Sequence, residues 1–315
     1  MKLRMSRRPI IPIVTGIPLS IIVIFVIASR WIVPNATRQD IMTGVTSPGT
    51  TGHLFGTDQL GRDITQLAIA GAGSAVVGPI VIALGSMMIG ILLGTFAGYM
   101  GGWLDLLLSK YADLLLALPT TLVALVVTGL VDGGYWVTVL VLIMLFSPTD
   151  IRMVRGSVIA QSGRPYIESA KVLGLGRTRI MFRHILPNVL PVAFSTMLLN
   201  VAFALVSMSA LSFLGLGLMQ PAASWGVMLG DSVRYYRADP TYLFIPGVAL
   251  VVLVAWPLAR FVDEPRIVPL MLVLSVALML SAAENIGVVE FRRNFAFNKE
   301  FQLFLIPRVL GVLSN

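Results

Sequence analysis

Glu168, Ser169, Ala170, Lys171, Arg177, Arg179, Arg183 and His184 crowd into one polar stretch, Tyr166 to Asn188, of a chain otherwise sparse in such groups. A carboxylate beside small side chains and several cations suits contact with a partner protein or with anionic lipid headgroups, not catalysis. A second group, Asp58, Gly61, Arg62 and Asp63, sets two carboxylates around one guanidinium, the makings of a charge-assisted clamp. The simpler reading is a capped helix start, with Thr57 or Asp58 as the cap and acids facing the helix N-terminus. His53 and His184 are the only histidines, and the topology derived below puts them on opposite sides of a membrane, which excludes a metal site built from the pair. The chain has no Cys, and none of its four Lys stands in a G-x-x-x-x-G-K-[ST] frame. G-x-S-x-G and H-E-x-x-H are missing as well, so neither a nucleotide-binding P-loop nor a familiar enzyme site is written here. The 15 Met are scattered and read as lipid-compatible packing.

The elements that must carry these groups are set by composition. Of 315 residues, 57% are hydrophobic and 12% charged, and the mean hydropathy is +0.88. Soluble domains lie far from these values, so the chain belongs in a membrane. The +8 charge arises from 23 Lys/Arg against 15 Asp/Glu, too few groups for a solvated nucleic-acid-binding domain. The absence of Cys leaves the redox compartment open.

A helix needs about 20 residues to cross the bilayer core, and the charge-poor windows of that length predict six spans: about Pro9–Ser29, Ser74–Tyr99, Leu106–Leu130, Tyr135–Thr149, Val189–Ala210 and Thr241–Ala259. With the N-terminus inside, the inner segments hold Lys2, Arg4, Arg7, Arg8, Lys110, the cations from Arg152 to Arg183, Arg260 and Arg266. The outer ones hold only Arg30, Arg38, Arg62, Arg234 and Arg237, which fits the positive-inside rule with both ends of a six-helix core in the cytoplasm. The polar stretch then becomes the loop between the fourth and fifth spans. It reads as two short helices, the first stopped by Gly174 and the second closing at Pro187, with Glu168, Ser169 and Ala170 as a small face for a partner. Leu211–Gly217, with Ser212 and Phe213, is apolar yet broken by the glycines Gly215 and Gly217; such backbone suits a bend inside protein, lining a pathway or packed on a paired subunit.

Three motifs carry a resemblance. Glu168-Ser169-Ala170, Gly174 and His184-Ile185-Leu186-Pro187-Asn188 resemble the EAA loop of ABC-importer permeases of the dipeptide/oligopeptide/nickel family, with Ser169 in place of the usual Ala. His53, Gly56-Thr57-Asp58, Gly61-Arg62-Asp63 match that family's HxxGTDxxGRD signature at every position. Leu211-Ser212-Phe213-Leu214-Gly215-Leu216-Gly217, then Pro221 and Ser224-Trp225-Gly226, resemble the LSFLGLG…P…SWG segment of C-type permease subunits. The likeness runs collinearly from about His53 to Leu253.

The resemblance implies an all-α membrane protein, the six-transmembrane-helix core of a type I ABC importer permease. It implies a heterodimer with a paralogous B-type permease subunit, one or two kinds of ATP-binding subunit carrying the ATP and Mg, and an extracytoplasmic substrate-binding protein delivering peptide, with nickel or another small solute as the alternative cargo. This chain itself would hold no cofactor, contact membrane lipid and no nucleic acid, and sit in a bacterial or archaeal inner membrane. Glu168, Ser169, Ala170, Gly174, Arg183, His184, Leu186 and Pro187 would couple the ATPases to the spans. The expected parts are residues 1–33 (tail and first helix), 34–73 (external segment), 74–260 (permease core, with the coupling loop at 166–188) and 261–315. That last part departs from the family, preserving little beyond Asp263, Pro265 and Arg266 of its usual ending, and its apolar run Ile267–Ala283 is short for a span, so an interfacial or packed helix is expected. A gradient-driven transporter would want carboxylates near the bilayer midplane, which the charge-free spans argue against; a membrane scaffold is the other rival.

Overall fold

The computed structural model describes residues 10–49, 52–131, 134–218, 222–235 and 241–262. Ten helices occupy most of them: α1 Ile10–Ala36, α2 Ile64–Met100, α3 Gly102–Leu116, α4 Thr120–Val131, α5 Gly134–Ser162, α6 Pro165–Val172, α7 Arg177–Ile180, α8 Leu186–Phe213, α9 Trp225–Tyr235 and α10 Thr241–Val262. A single π-helical turn, Met181–Ile185, joins α7 to α8. This is an all-α membrane protein. Three stretches among the described residues, α2, α5 and Arg177–Phe213, are each long and apolar enough to cross a bilayer, and α3 with α4 has the length and apolarity of a fourth only when the two, bent by 87°, are taken together as a broken span or a re-entrant loop. At 27 and 22 residues, α1 and α10 also exceed the required length.

Several boundaries differ from the expected ones. The predicted third span is two helices, because Pro119 lacks an N–H and restricts Leu118 to extended backbone, so the chain breaks between Leu116 and Thr120. The predicted fourth span does not stop at Thr149. Helix α5 continues to Ser162, longer than a span needs, and carries Asp150, Arg152 and Arg155 in that continuation. Helix α2 starts at Ile64, inside the segment expected to lie along the surface, and the Gly-rich stretch after α8 folds into α9. The expected placement of Ile267–Ala283 lies outside the described residues.

Helix α2 is the central mast. It packs against α1, α5 and α8, and its pairing with α5 is the most extensive among the described helices. Gly90, Gly94 and Gly98 recur every four residues on the α5 side, and each is so close that a Cβ would fall within 3 Å of α5: at Asp150 Cβ, Ile151 O and Arg155 O respectively. In a lipid environment, where apolar burial gives little drive for association, such small-residue contact is a principal source of helix pairing. The loop after α8 is fastened to the same mast. Trp225 is buried and donates from Nε1 to the Ala68 carbonyl at 2.7 Å; its ring fills the notch that Gly71 leaves. Ser74 Oγ donates to Ala223 O at 3.1 Å, and Tyr135, at the start of α5, donates to Ser74 O at 2.8 Å.

Candidate functional site

At one end of the molecule the Asp58 group forms a compact clasp ahead of α2. Asp58 Oδ2 accepts from Arg62 Nε at 2.7 Å and from Nη2 at 2.6 Å, with both residues buried. Asp58 Oδ1 accepts the Leu60 and Arg62 backbone N–H groups, each at 2.9 Å. The turn between them needs Gly61: its φ is +70°, and a Cβ there would lie 1.8 Å from the Asp40 carbonyl oxygen. The expected cap position is corrected, because Asp63, not Thr57 or Asp58, is the N-cap of α2, accepting the Gln66 N–H at 3.0 Å. Thr57 is instead buried, donating to Gly44 O at 2.6 Å and accepting the Thr46 N–H at 2.9 Å.

Asp63 Oδ2 also lies 2.6 Å from His53 Nδ1. Burial pushes the Asp63 carboxyl up, but the hydrogen bonds with His53 and the Gln66 N–H hold it below its ordinary value of 3.8. A depressed carboxylate stabilises the fold above its unfolded pKa and ceases to do so as pH falls through the folded one. Asp63→Ala is therefore expected to cost about 1 kcal/mol, the usual worth of an N-cap, at neutral pH. In detergent unfolding series, the difference from wild type should shrink once the pH drops below about 3.8.

The polar loop lies at the opposite ends of α5 and α8. Helix α6 opens with Pro165 at its first turn and ends at Gly174, whose φ of +74° allows the Leu175 N–H to reach back to Ala170 O at 3.2 Å. Its apolar positions then have two fates. Ile167 and Ala170, with Ile180 and Ile185, are buried in one cluster with Met87 of α2, Val154 and Val158 of α5, and Val189 and Ala193 of α8. Val172 and Leu173, 88% and 79% exposed, project outward beside exposed Glu168, Ser169 and Lys171. Ala170 thus faces the helices, and the expectation that it joins Glu168 and Ser169 in contacting a partner is corrected: in a helix of eight residues it falls on the side that α5 and α8 cover.

Arg183, Pro187 and Asn188 are exposed, while His184 and Leu186 are half-buried. The His184 carbonyl accepts from Asn188 Nδ2 at 2.7 Å, and Asn188 also reaches the Tyr166 hydroxyl at 3.3 Å, so the return of the loop is tied to the start of α6. Phe182 packs edge-on against Phe96 of α2 with centroids 6.0 Å apart. Glu168, Ser169 and Arg183 are therefore each exposed, and Gly174 stands at the bend.

The third stretch is a helix ending. Ser212 is buried against Gly226 of α9, Phe213 and Leu214 are exposed, and the chain turns at Gly215 and Gly217. The Leu216 N–H returns to Leu211 O at 2.8 Å, and Gly217 comes to rest beside Thr138 of α5. The Asp58 clasp, the polar loop and this turn are three separate places, not one site. Sequence reasoning missed Val172 and Leu173, although an apolar pair just before a helix-stopping glycine in a polar loop was a readable signal. It also missed Asp150, hidden at the expected end of a span. Among the described residues no cluster of His, Asp or Glu could hold a metal ion.

A family model described as the binding-protein-dependent transport system inner membrane component matches residues 90–264, from the middle of α2 through α10. The chain belongs to this family. The permease is 34% identical over 202 residues to the dipeptide transport system permease protein of Alkalihalophilus pseudofirmus, covering 64% of this chain and 66% of that one. It is 31% identical over 231 residues to the oligopeptide transport system permease protein of Bacillus subtilis, covering 72% and 76%. It is also 34% identical over 202 residues to the glutathione transport system permease protein of Pectobacterium atrosepticum, covering 64% and 67%. The matches take in about two thirds to three quarters of each relative's length. A second family model, described as polysaccharide biosynthesis protein, matches residues 243–315. The two matched ranges overlap only within α10 and the residues just after it, where the expected family ending already fails.

Proposed function

We propose that this permease subunit carries di- or oligopeptides through the cytoplasmic membrane of a bacterium or archaeon. It would pair with a paralogous permease subunit, receive substrate from a binding protein outside and be driven by ATP-binding subunits inside. The observation that carries this reading is the two-sidedness of the 166–188 loop. Its inner face is locked among α2, α5 and α8, and its outer face offers Glu168, Lys171, Val172 and Leu173 to solvent.

An exposed apolar pair next to exposed polar residues is the composition of a protein interface core with its rim. A push on that face would reach three helices together through the buried cluster. The dipeptide and oligopeptide relatives support peptide as cargo. Phe213 and Leu214, exposed at the end of α8, are assigned to the contact with the paired subunit. The permease core is assigned to residues 74–260 together with the first turns of α2, and residues 261–315 to a separate addition, a division supported by the change of matching family in α10.

The test is peptide-stimulated ATP hydrolysis in proteoliposomes holding this chain, its partner permease, the ATPases and the binding protein. Glu168→Ala is expected to lower the stimulation about tenfold while the complex still assembles, a loss of about 1.4 kcal/mol of coupling. Leu173→Glu is expected to prevent ATPase association altogether. A wild-type chain that recruits no ATPase would end the importer reading.

A further inference from the structure

The α2–α5–α8 bundle hides a polar cluster that the loop and the clasp do not use. Asp150 is fully buried, about 24 Å along α5 from its first residue by the helical rise of 1.5 Å. Its Oδ1 accepts from Asn200 Nδ2 of α8 at 2.8 Å. Ser86 of α2, also buried, faces the same carboxyl, and Gly90 of α2 presses directly on the Asp150 Cβ. Oδ2 has no hydrogen-bond partner among the described residues. Ionisable side chains inside a membrane bundle are costly and tend to mark function.

The place of the cluster gives it a role. Ser86 is next in sequence to Met87, Asp150 is one turn from Val154, and Asn200 is two turns from Ala193; those three residues belong to the buried cluster that seats the loop. The three polar groups therefore stand one layer above the loop's anchorage, one on each helix that receives its push. An apolar layer at this level could slide or rotate with little penalty, whereas a buried directional hydrogen bond resists both.

We infer that Asp150 is a positioning residue: its bond to Asn200 pins α5 to α8 against the Gly90 notch of α2, so that the three helices follow the coupling loop as one body. This rests on the importer reading above. Pinning requires the hydrogen bond and not the charge. The amide variant Asp150→Asn and the exchanged pair Asp150→Asn with Asn200→Asp keep a bond between the helices; Asp150→Ala and Asn200→Ala remove it.

The complete complex in proteoliposomes would be assayed for peptide taken up per ATP hydrolysed. The two alanine variants are expected to lower that ratio about tenfold, and the amide and exchanged variants to stay within about threefold of wild type. Equal loss in the amide variant would overturn the pin and assign the role to the carboxylate's charge. An unchanged ratio in both alanine variants would overturn it as well.

Because the natural chain has no Cys, Gly163→Cys beyond α5 and Val192→Cys on α8 can take spin labels as the only label sites in the chain. Wild type should give one narrow distance distribution and Asn200→Ala a broad one, while equally narrow distributions would reject the pin. A wild-type complex without ATP-driven uptake would instead sink the importer reading. The label distances need no transport and would still decide the role of Asp150.

Discussion

Asp58→Ala should destabilise the protein by about 3–5 kcal/mol, the penalty for breaking a buried ion pair from one side. The Arg62 side chain is 2% exposed and that of Asp58 0%. Removing the carboxylate keeps the guanidinium in its enclosure but takes away its two short bonds to Asp58. It also frees the Leu60 and Arg62 N–H groups that Oδ1 accepts, and a buried donor left unmade is itself costly. The clasp sets the entry of the chain into α2, and α2 is the mast for α1, α5 and α8, so the damage should reach the whole fold.

Replacing both partners by apolar residues of similar volume, Asp58→Leu with Arg62→Met, should recover much of the loss, since paired buried charges return little net stability over a packed apolar equivalent. Thermal unfolding of the detergent-solubilised protein checks this. A double variant no more stable than Asp58→Ala would show that the guanidinium contributes more than the cost of its own burial.

What the sequence made legible, and what it hid, follows from which forces act locally. The polar loop stood out because charge is rare in this chain, and a helix stopped by Gly174 is a local signal. Its division into a buried and an exposed face was harder, since the choice between Ala170 and Val172 depends on where α5 and α8 lie. The clasp shows the same limit. Thr57, Asp58 and Asp63 are all competent N-caps, and only the fold decides that Thr57 turns to Gly44, Asp58 to Arg62 and Asp63 to Gln66. Pro119 marked a break that the predicted third span ran through, because hydropathy does not register a missing N–H. Asp150 escapes a hydropathy reading because a charge marks a span boundary on that scale, although a carboxylate beside an amide on a neighbouring helix can be held within a bundle.

The glycine ladder was present in the sequence as a small residue every fourth position, and it supports the second large effect. Gly94→Leu should separate α2 from α5 and abolish uptake, with at least a tenfold loss, while Gly90→Ala should already cost about 1–3 kcal/mol as an overpacked contact. Even a single carbon at Gly94 would lie 2.7 Å from Ile151 O and 2.9 Å from Val154 Cβ, and at Gly90 it would lie 2.5 Å from Asp150 Cβ. The obstacles are backbone and Cβ atoms, which have no rotamer to give, so relief requires the helices to move apart. Separation at Gly94 strikes Val154, a member of the cluster that seats the coupling loop, which is why transport should fail together with stability.

Gly156→Ala is the control on the same helix pair's α5 member. A Cβ there meets nothing within 4 Å, so the substitution should be neutral or add about 0.5–1 kcal/mol through the better helix propensity of alanine. Unfolding midpoints and peptide uptake for the three variants decide the matter. If Gly94→Leu unfolds and transports like Gly156→Ala, the close approach of α2 and α5 cannot be what holds the bundle to its loop.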